Sequence, residues 1–197
     1  MPIPQKGLAD MSFVVKYKWA ILALIAVVGC VVDIYTKHLA ATSLSMGHTV
    51  PVVGQYLQFL LVYNKGAIFG IDPRHYVPGI PMNLLFYIFS AIAIVILVVY
   101  YRALPKHDAV SHWGVAAILP GALGNLYDRV VHPQLGVVDF IRLGVSERIY
   151  WPIFNMADVY VTVGVGLILL SFLVDERRRV RAAAAVAPVT NAPPSGN

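Results

Sequence analysis

Four apolar stretches, at about 19–38, 81–101, 112–127 and 152–174, govern what this chain can fold into. About 20 consecutive apolar residues in a helix cross the hydrocarbon core of a bilayer, and three of the stretches reach that length. The stretch at 112–127 is shorter and less apolar, and it carries Pro120, Gly121 and Gly124, where a neighbouring helix can approach closely. Composition excludes the alternative. Only 13% of the 197 residues are charged and 58% are hydrophobic, with a mean hydropathy of +0.71. A soluble domain carries about 25% charged residues to cover its surface.

The expected architecture is an all-α membrane protein, four transmembrane helices in one domain over 19–174, with a small extracytoplasmic β-cradle. Residues 39–78 are punctuated by Gly47, Pro51, Gly54, Gly66, Gly70 and Pro73, between short runs rich in aromatic and β-branched residues such as Tyr56–Tyr63. That pattern predicts short strands lying against the membrane surface. A second lobe is expected at 128–150. Residues 1–18 form an N-terminal segment, and 175–197 open with Asp175-Glu176-Arg177-Arg178-Arg179 before trailing into Ala, Pro, Ser and Asn, a composition that predicts disorder.

Four crossings place both termini on one side. That side carries nine Lys and Arg (Lys6, Lys16, Lys18, Arg102, Lys106, Arg177, Arg178, Arg179, Arg181), and the other carries six (Lys37, Lys65, Arg74, Arg129, Arg142, Arg148). The positive-inside rule then makes the termini cytoplasmic and the lobes external. Orientation also accounts for the net charge of +5, because the basic residues form no stripe with interleaved aromatics of the kind that binds nucleic acid. The single cysteine, Cys30, excludes an internal disulfide. Val27-Val28-Gly29-Cys30, after a basic flank, looks like a lipid-attachment site, but a lipoprotein would continue into a polar domain and this chain returns to the membrane. Cys30 is read as a packing residue.

Polar groups at membrane depth are costly unless paired or used, so they are the informative residues here. Asp33, Thr36 and Lys37 share a helix face; a helix-end ion pair with the lysine reaching to the interface is the simplest role, and it can also support a site. Asn64, in Asn64-Lys65-Gly66, is either a turn residue or a functional carboxamide. Asn125, Asp128 and Arg129 fall at i, i+3 and i+4, giving either an interfacial salt bridge or one face of a site. Asp139 stands alone in an apolar stretch. Asp158 shares a face with Asn155, has no basic neighbour in sequence, and is expected about two turns into the fourth helix, where a structural role does not explain it.

The available chemistry is narrow. No His-Glu-x-x-His is present, the six histidines lack ligand spacing, the serines at 90, 111 and 171 lack a nucleophile's setting, and Cys30 has no polarising neighbour. Carboxylates and carboxamides remain. Two carboxylates held close share a proton, so that one activates a water and the other polarises a carbonyl, with no metal or cofactor required.

The ordered motifs Asp33-Ile34-Tyr35-Thr36-Lys37, Asn64-Lys65-Gly66-Ala67-Ile68-Phe69, Gly121 through Arg129, Val137-Val138-Asp139-Phe140 and Phe154-Asn155-Met156-Ala157-Asp158 together resemble the lipoprotein signal peptidase family, also called signal peptidase II. The resemblance covers about 19–174. It implies an aspartic endopeptidase of the bacterial cytoplasmic (inner) membrane, with Asp139 and Asp158 as the catalytic dyad. It implies that Asn64, Gly66, Asn125, Arg129 and Asn155 line the pocket and that Asp33, Lys37 and Asp128 support it. The implied partners are prolipoproteins bearing a diacylglyceryl cysteine, cut just before that cysteine, together with membrane lipid and globomycin-type inhibitors; the expected state is a monomer. Two departures from the family pattern, the polar segment 71–80 and Ile68, bear on pocket shape. The rival reading is a small ion-coupled transporter using Asp33, Asp128 and Asp158 as protonation sites, which would call for internal repeats that the chain lacks.

Overall fold

The computed structural model describes residues 17–66, 79, 82–146 and 149–186. Four long helices carry the described residues: α1 (Lys18–Ser43), α2 (Met82–Ala103), α3 (Ala109–Val131) and α4 (Met156–Val186). Between them run β1 (Thr49–Val53), β2 (Leu57–Asn64), β3 (Val137–Ser146) and β4 (Ile149–Tyr150). Helices α1, α2 and α4 are each long and apolar enough to cross a membrane.

Helix α3 is too polar to qualify by hydropathy, and the packing explains why it can be. It is the central helix, with α1, α2 and α4 all packed on it. Its Ser111, His112, Gly114, Gly121, Gly124 and Asp128 are buried. Polar groups on a helix enclosed by three others have protein partners rather than lipid tails. Asp108 caps it, accepting from the Ser111 N–H at 2.9 Å and from the Ser171 hydroxyl of α4 at 2.6 Å. The outward faces of the other helices are apolar: Val27, Val31 and Tyr35 on α1, Phe89, Ile92 and Ile96 on α2, and Leu169, Phe172 and Leu173 on α4 are exposed. Such surfaces are suited to lipid.

The bundle has two unlike ends. Leu22, Ala26, Tyr101, Leu104, Val115, Ala116 and Leu119 form an apolar core at the end where α1 begins and α2 finishes. There the Tyr101 hydroxyl donates to the Lys18 carbonyl at 2.7 Å, and the Lys18 ammonium donates back to the Tyr101 carbonyl at 3.3 Å. Asp33, Lys37, Asp128 and Asn155 are buried at the other end.

Over that polar end lies an antiparallel sheet in the order β1-β2-β3-β4. In the β2–β3 ladder Val62 faces Asp139 and Asn64 faces Val137, with a register shift between Phe59 and Val62. A strand alternates its side chains, so Asn64, two residues beyond Val62, points to the same face as Asp139. The short strands anticipated within 39–78 are β1 and β2.

Several boundaries differ from those expected. Helix α1 continues to Ser43, so Lys37 lies well inside it rather than at its end. Helix α3 runs to Val131, which places Asn125, Asp128 and Arg129 inside the helix. Helix α4 starts at Met156 and not at Pro152, because Phe154 is committed to backbone pairing with Ile141 of β3; Asp158 is therefore in its first turn, not two turns deep. At the far end α4 remains helical to Val186, through part of the stretch expected to be disordered. Ile68 and all of 71–80 except Gly79 lie outside the described residues.

Candidate active site

Backbone pairing brings the two candidate carboxylates together. The Phe154 carbonyl accepts from the N–H groups of Phe140 and Ile141 at 3.0 and 2.8 Å, and the Phe154 N–H returns a bond to the Ile141 carbonyl at 3.0 Å. This pins the residue before Asn155 against the strand that carries Asp139. Asn155 then caps α4. Its side-chain carbonyl accepts from the Asp158 N–H at 3.1 Å while the Asp158 carboxylate accepts from the Asn155 N–H at 3.2 Å, a reciprocal capping box.

Asn155 is fully buried, and its remaining donors reach outward. Its amide Nδ2 donates to Asp139 Oδ1 at 2.7 Å and to Asn125 Oδ1 at 3.2 Å. Asn125 completes the circuit by donating its own Nδ2 to Asp158 Oδ1 at 2.9 Å. Asn64 bonds the Asp139 side chain from β2 and also accepts from the Gly66 N–H at 3.0 Å, so it shapes the turn while touching a candidate carboxylate. Gly66 has a φ of +120°, a region that favours glycine, and a Cβ there would meet Phe86 Cε2 at 2.5 Å.

Beneath this layer, Lys37 is buried rather than reaching to the interface. Its ammonium lies 2.7 Å from Asp33 Oδ2, 3.0 Å from Asp128 Oδ2 and 2.9 Å from Asn125 Oδ1. Each carboxylate also holds a backbone group: Asp33 Oδ1 accepts from the Ala157 N–H of α4 at 2.8 Å, and Asp128 Oδ2 from the Val138 N–H of β3 at 3.1 Å. One cation and two anions thus tie α1, α3, α4 and β3 around the two candidate carboxylates. A Cβ at Gly124 would run into the Asp33 carboxylate, so α1 approaches α3 only where a side chain is missing.

Asp128 and Arg129 do not form the salt bridge that their spacing allowed. Arg129 donates from Nη1 to the Asn125 carbonyl at 3.0 Å, and its guanidinium lies 4.4 Å from the centre of the Phe86 ring, within electrostatic reach of Asp139 and Asp158. All ten residues singled out in sequence thus fall in or around one site.

The two carboxylates differ in environment. Asp139 is 4% exposed on a strand, and burial, reinforced by the charge of Asp158, pushes its carboxyl up to about 7. Hydrogen bonds from Asn64 and Asn155 oppose that rise. Asp158 is half-buried and faces the N-terminus of α4, where the helix dipole favours negative charge. The arrangement favours a proton on Asp139. A cavity of about 130 Å³ lined by Asp108, Ser171, Asp175 and Arg179 lies at the opposite end of the bundle, remote from this chemistry.

Sequence reasoning missed the contribution of α2. Asn83 donates to the Pro133 carbonyl at 2.9 Å and Tyr87 to the Arg129 carbonyl at 2.8 Å, while Phe86 meets the Arg129 guanidinium. Their i, i+3, i+4 spacing puts the three on one helix face, but two aromatics in an apolar helix look like ordinary membrane residues.

A family model described as signal peptidase (SPase) II matches residues 25–174. The lipoprotein signal peptidase of Halalkalibacterium halodurans is 35% identical over 155 residues, 79% of this chain and 93% of that protein. That of Aquifex aeolicus is 39% identical over 163 residues, 82% of this chain and 90% of its own. Among solved structures, a bacterial membrane enzyme superposes with a TM-score of 0.68 at 28% identity, covering 87% of this chain and 94% of that one. With the fold, the ordered motifs and these relatives in agreement, the chain belongs to the signal peptidase II family.

Proposed function

We propose that this chain is an aspartic endopeptidase that removes signal peptides from diacylglyceryl-modified prolipoproteins, cutting before the lipidated cysteine. The observation that carries the reading is Asn155: a single buried residue bonded to both Asp139 and Asp158, holding the two carboxylates at one place.

In the proposed reaction Asp139 starts protonated and Asp158 ionised. Asp158 takes a proton from a water as the water oxygen attacks the carbonyl carbon preceding the modified cysteine. The Asp139 proton is hydrogen-bonded to the carbonyl oxygen and stabilises its developing charge. On collapse the C–N bond breaks and Asp158 passes its proton to the leaving cysteine nitrogen. Asn64 and Arg129 hold the substrate backbone, and Asn125 keeps Asp158 oriented. Lys37 sets the direction of Asn125: an ammonium only donates, so the Asn125 carbonyl oxygen must face it and the NH₂ must face Asp158.

The apolar outer faces of the helices would receive the diacylglyceryl chains. In this reading α3 spans the inner membrane with the other three helices, both termini are cytoplasmic, the site opens toward the outer leaflet, the protein acts as a monomer, and globomycin-type inhibitors block it. A transporter finds no support in the family, and the buried acids gather at one end of the bundle.

The test is cleavage of a synthetic diacylglyceryl prolipopeptide by the purified protein, followed by mass. Asp139→Asn and Asp158→Asn should each lower the rate by about 10²–10⁴-fold or more while the protein still inserts. Full activity in either variant sinks the dyad.

A further inference from the structure

Arg129 is the group at this site with the greatest freedom to go wrong. It is a long, permanently charged side chain beside two carboxylates, and its fork matches a carboxylate in geometry. Left to itself it would close on Asp139 or Asp158 as a bidentate pair, neutralise the dyad and use up the donors needed for substrate. It does not do so. Among the described residues it makes one hydrogen bond, from Nη1 to the Asn125 carbonyl at 3.0 Å, and its guanidinium lies 4.4 Å from the centre of the Phe86 ring.

Phe86 is itself held from two directions. Its neighbours Asn83 and Tyr87 anchor the outer end of α2 to the last turn of α3 through the Pro133 and Arg129 carbonyls. On another side the ring abuts Gly66, where a Cβ would lie 2.5 Å from Cε2 and 3.0 Å from Cζ. Gly66 belongs to the turn whose Asn64 bonds Asp139. The ring therefore occupies a fixed position between that turn and the cation.

We propose that Phe86 is a positioning residue: its ring holds the face of the Arg129 guanidinium and so keeps the N–H edge turned to the substrate backbone instead of closed on the dyad. The attraction is that of a cation for the negative face of an aromatic ring, strengthened where water is excluded. Phe86 touches no reacting atom and acts only through Arg129. The inference rests on the peptidase reading above, since it gives Arg129 the substrate backbone as partner.

A series in which residue 86 carries phenylalanine with one, two and three ring fluorines tests this in the full-length protein. Fluorine withdraws the ring's negative face with little change in shape, so a residue that merely fills space would not respond. With the diacylglyceryl prolipopeptide as substrate, kcat should fall stepwise along the series, to about a tenth at three fluorines, a scale set by a water-shielded cation–π contact. KM should change less than about twofold, because the lipid chains dominate binding. Phe86→Tyr should retain activity within about twofold and Phe86→Leu should match the most fluorinated ring. Failure of Phe86→Leu to fold would leave the fluorinated series as the deciding measurement. A flat kcat across the series overturns the inference. Absence of cleavage by the unmodified protein would instead overturn the peptidase reading, so the two failures are distinguishable.

Discussion

At Asp139 the pull of burial against hydrogen bonding becomes measurable as a pH dependence. An ordinary carboxyl value of 3.8 is raised to about 7, by burial first and by the charge of Asp158 second. A carboxyl raised in the folded state binds its proton more tightly there than in the unfolded chain. Its contribution to stability is fully present below about pH 3.8 and is lost as pH rises through about 7. Thermal unfolding of the detergent-solubilised protein should show a midpoint falling between about pH 4 and 7. Asp139→Asn cannot ionise, so its midpoint should fall less, leaving the variant more stable than the native chain at about pH 8 and close to it only near about pH 4. Parallel profiles would show that Asp139 carries no such strain. On the proposed mechanism, activity should decline over the same range as Asp139 loses its proton, with an apparent midpoint that belongs to the interacting pair rather than to one residue. Beneath the two carboxylates lies Lys37. Its ammonium lies within 3.0 Å of three oxygens, two of them from carboxylates, so a charge that would be costly at membrane depth has counter-charges beside it.

The helices meet closely because particular positions lack side chains. A Cβ at Gly124 would collide with the Asp33 carboxylate, with the Asp33 Cγ only 3.0 Å away. Asp33 cannot retreat, being held by Lys37 and by the Ala157 N–H. Gly124→Ala should therefore cost about 1–3 kcal/mol of stability and disturb the site, as overpacking does. Gly166, in the interior of α4, offers a matched control, since a Cβ there meets nothing within 4 Å. Gly166→Ala should be neutral or stabilising by up to about 1 kcal/mol. Equal unfolding midpoints for the two variants in one detergent would refute the packing argument. Elements also separate what could be read in sequence from what could not. Asn125, Asp128 and Arg129 were legible because polar residues at helical spacing stand out in an apolar chain, whereas Asp139 was visible only as one carboxylate in an apolar stretch, its role implied by the family resemblance. Lys37 was misplaced, since its depth depends on α1 continuing to Ser43 and on partners from α3. The start of α4 was misplaced because Trp151–Phe154 is apolar enough to continue a helix, and only the pairing of Phe154 with β3, a contact distant in sequence, removes it. Phe86 and Tyr87 carried no signal at all: their role is set by which cation and carbonyl α3 presents to them.

Across the whole molecule, the two unlike ends determine how the chain must lie. The apolar core joins the start of α1, the end of α2 and the start of α3; the polar network joins the later part of α1, the end of α3 and the start of α4. Successive helices therefore run in alternating directions, and α3, at 23 residues about 35 Å long, covers a distance comparable to the bilayer core. The beginning of α1 and the end of α4 therefore lie at the same end of the bundle, on one side of the membrane when all four helices cross. The single native thiol makes this testable, because Cys30→Ser removes it. In that background Tyr17→Cys, Val145→Cys and Arg181→Cys place single thiols before α1, on β3 and near the end of α4, all at exposed positions. A membrane-impermeant maleimide applied to spheroplasts with an intact inner membrane should label Val145→Cys directly, and the other two only after permeabilisation. Labelling of either Tyr17→Cys or Arg181→Cys in sealed cells would overturn the proposed arrangement of four crossings with both termini inside.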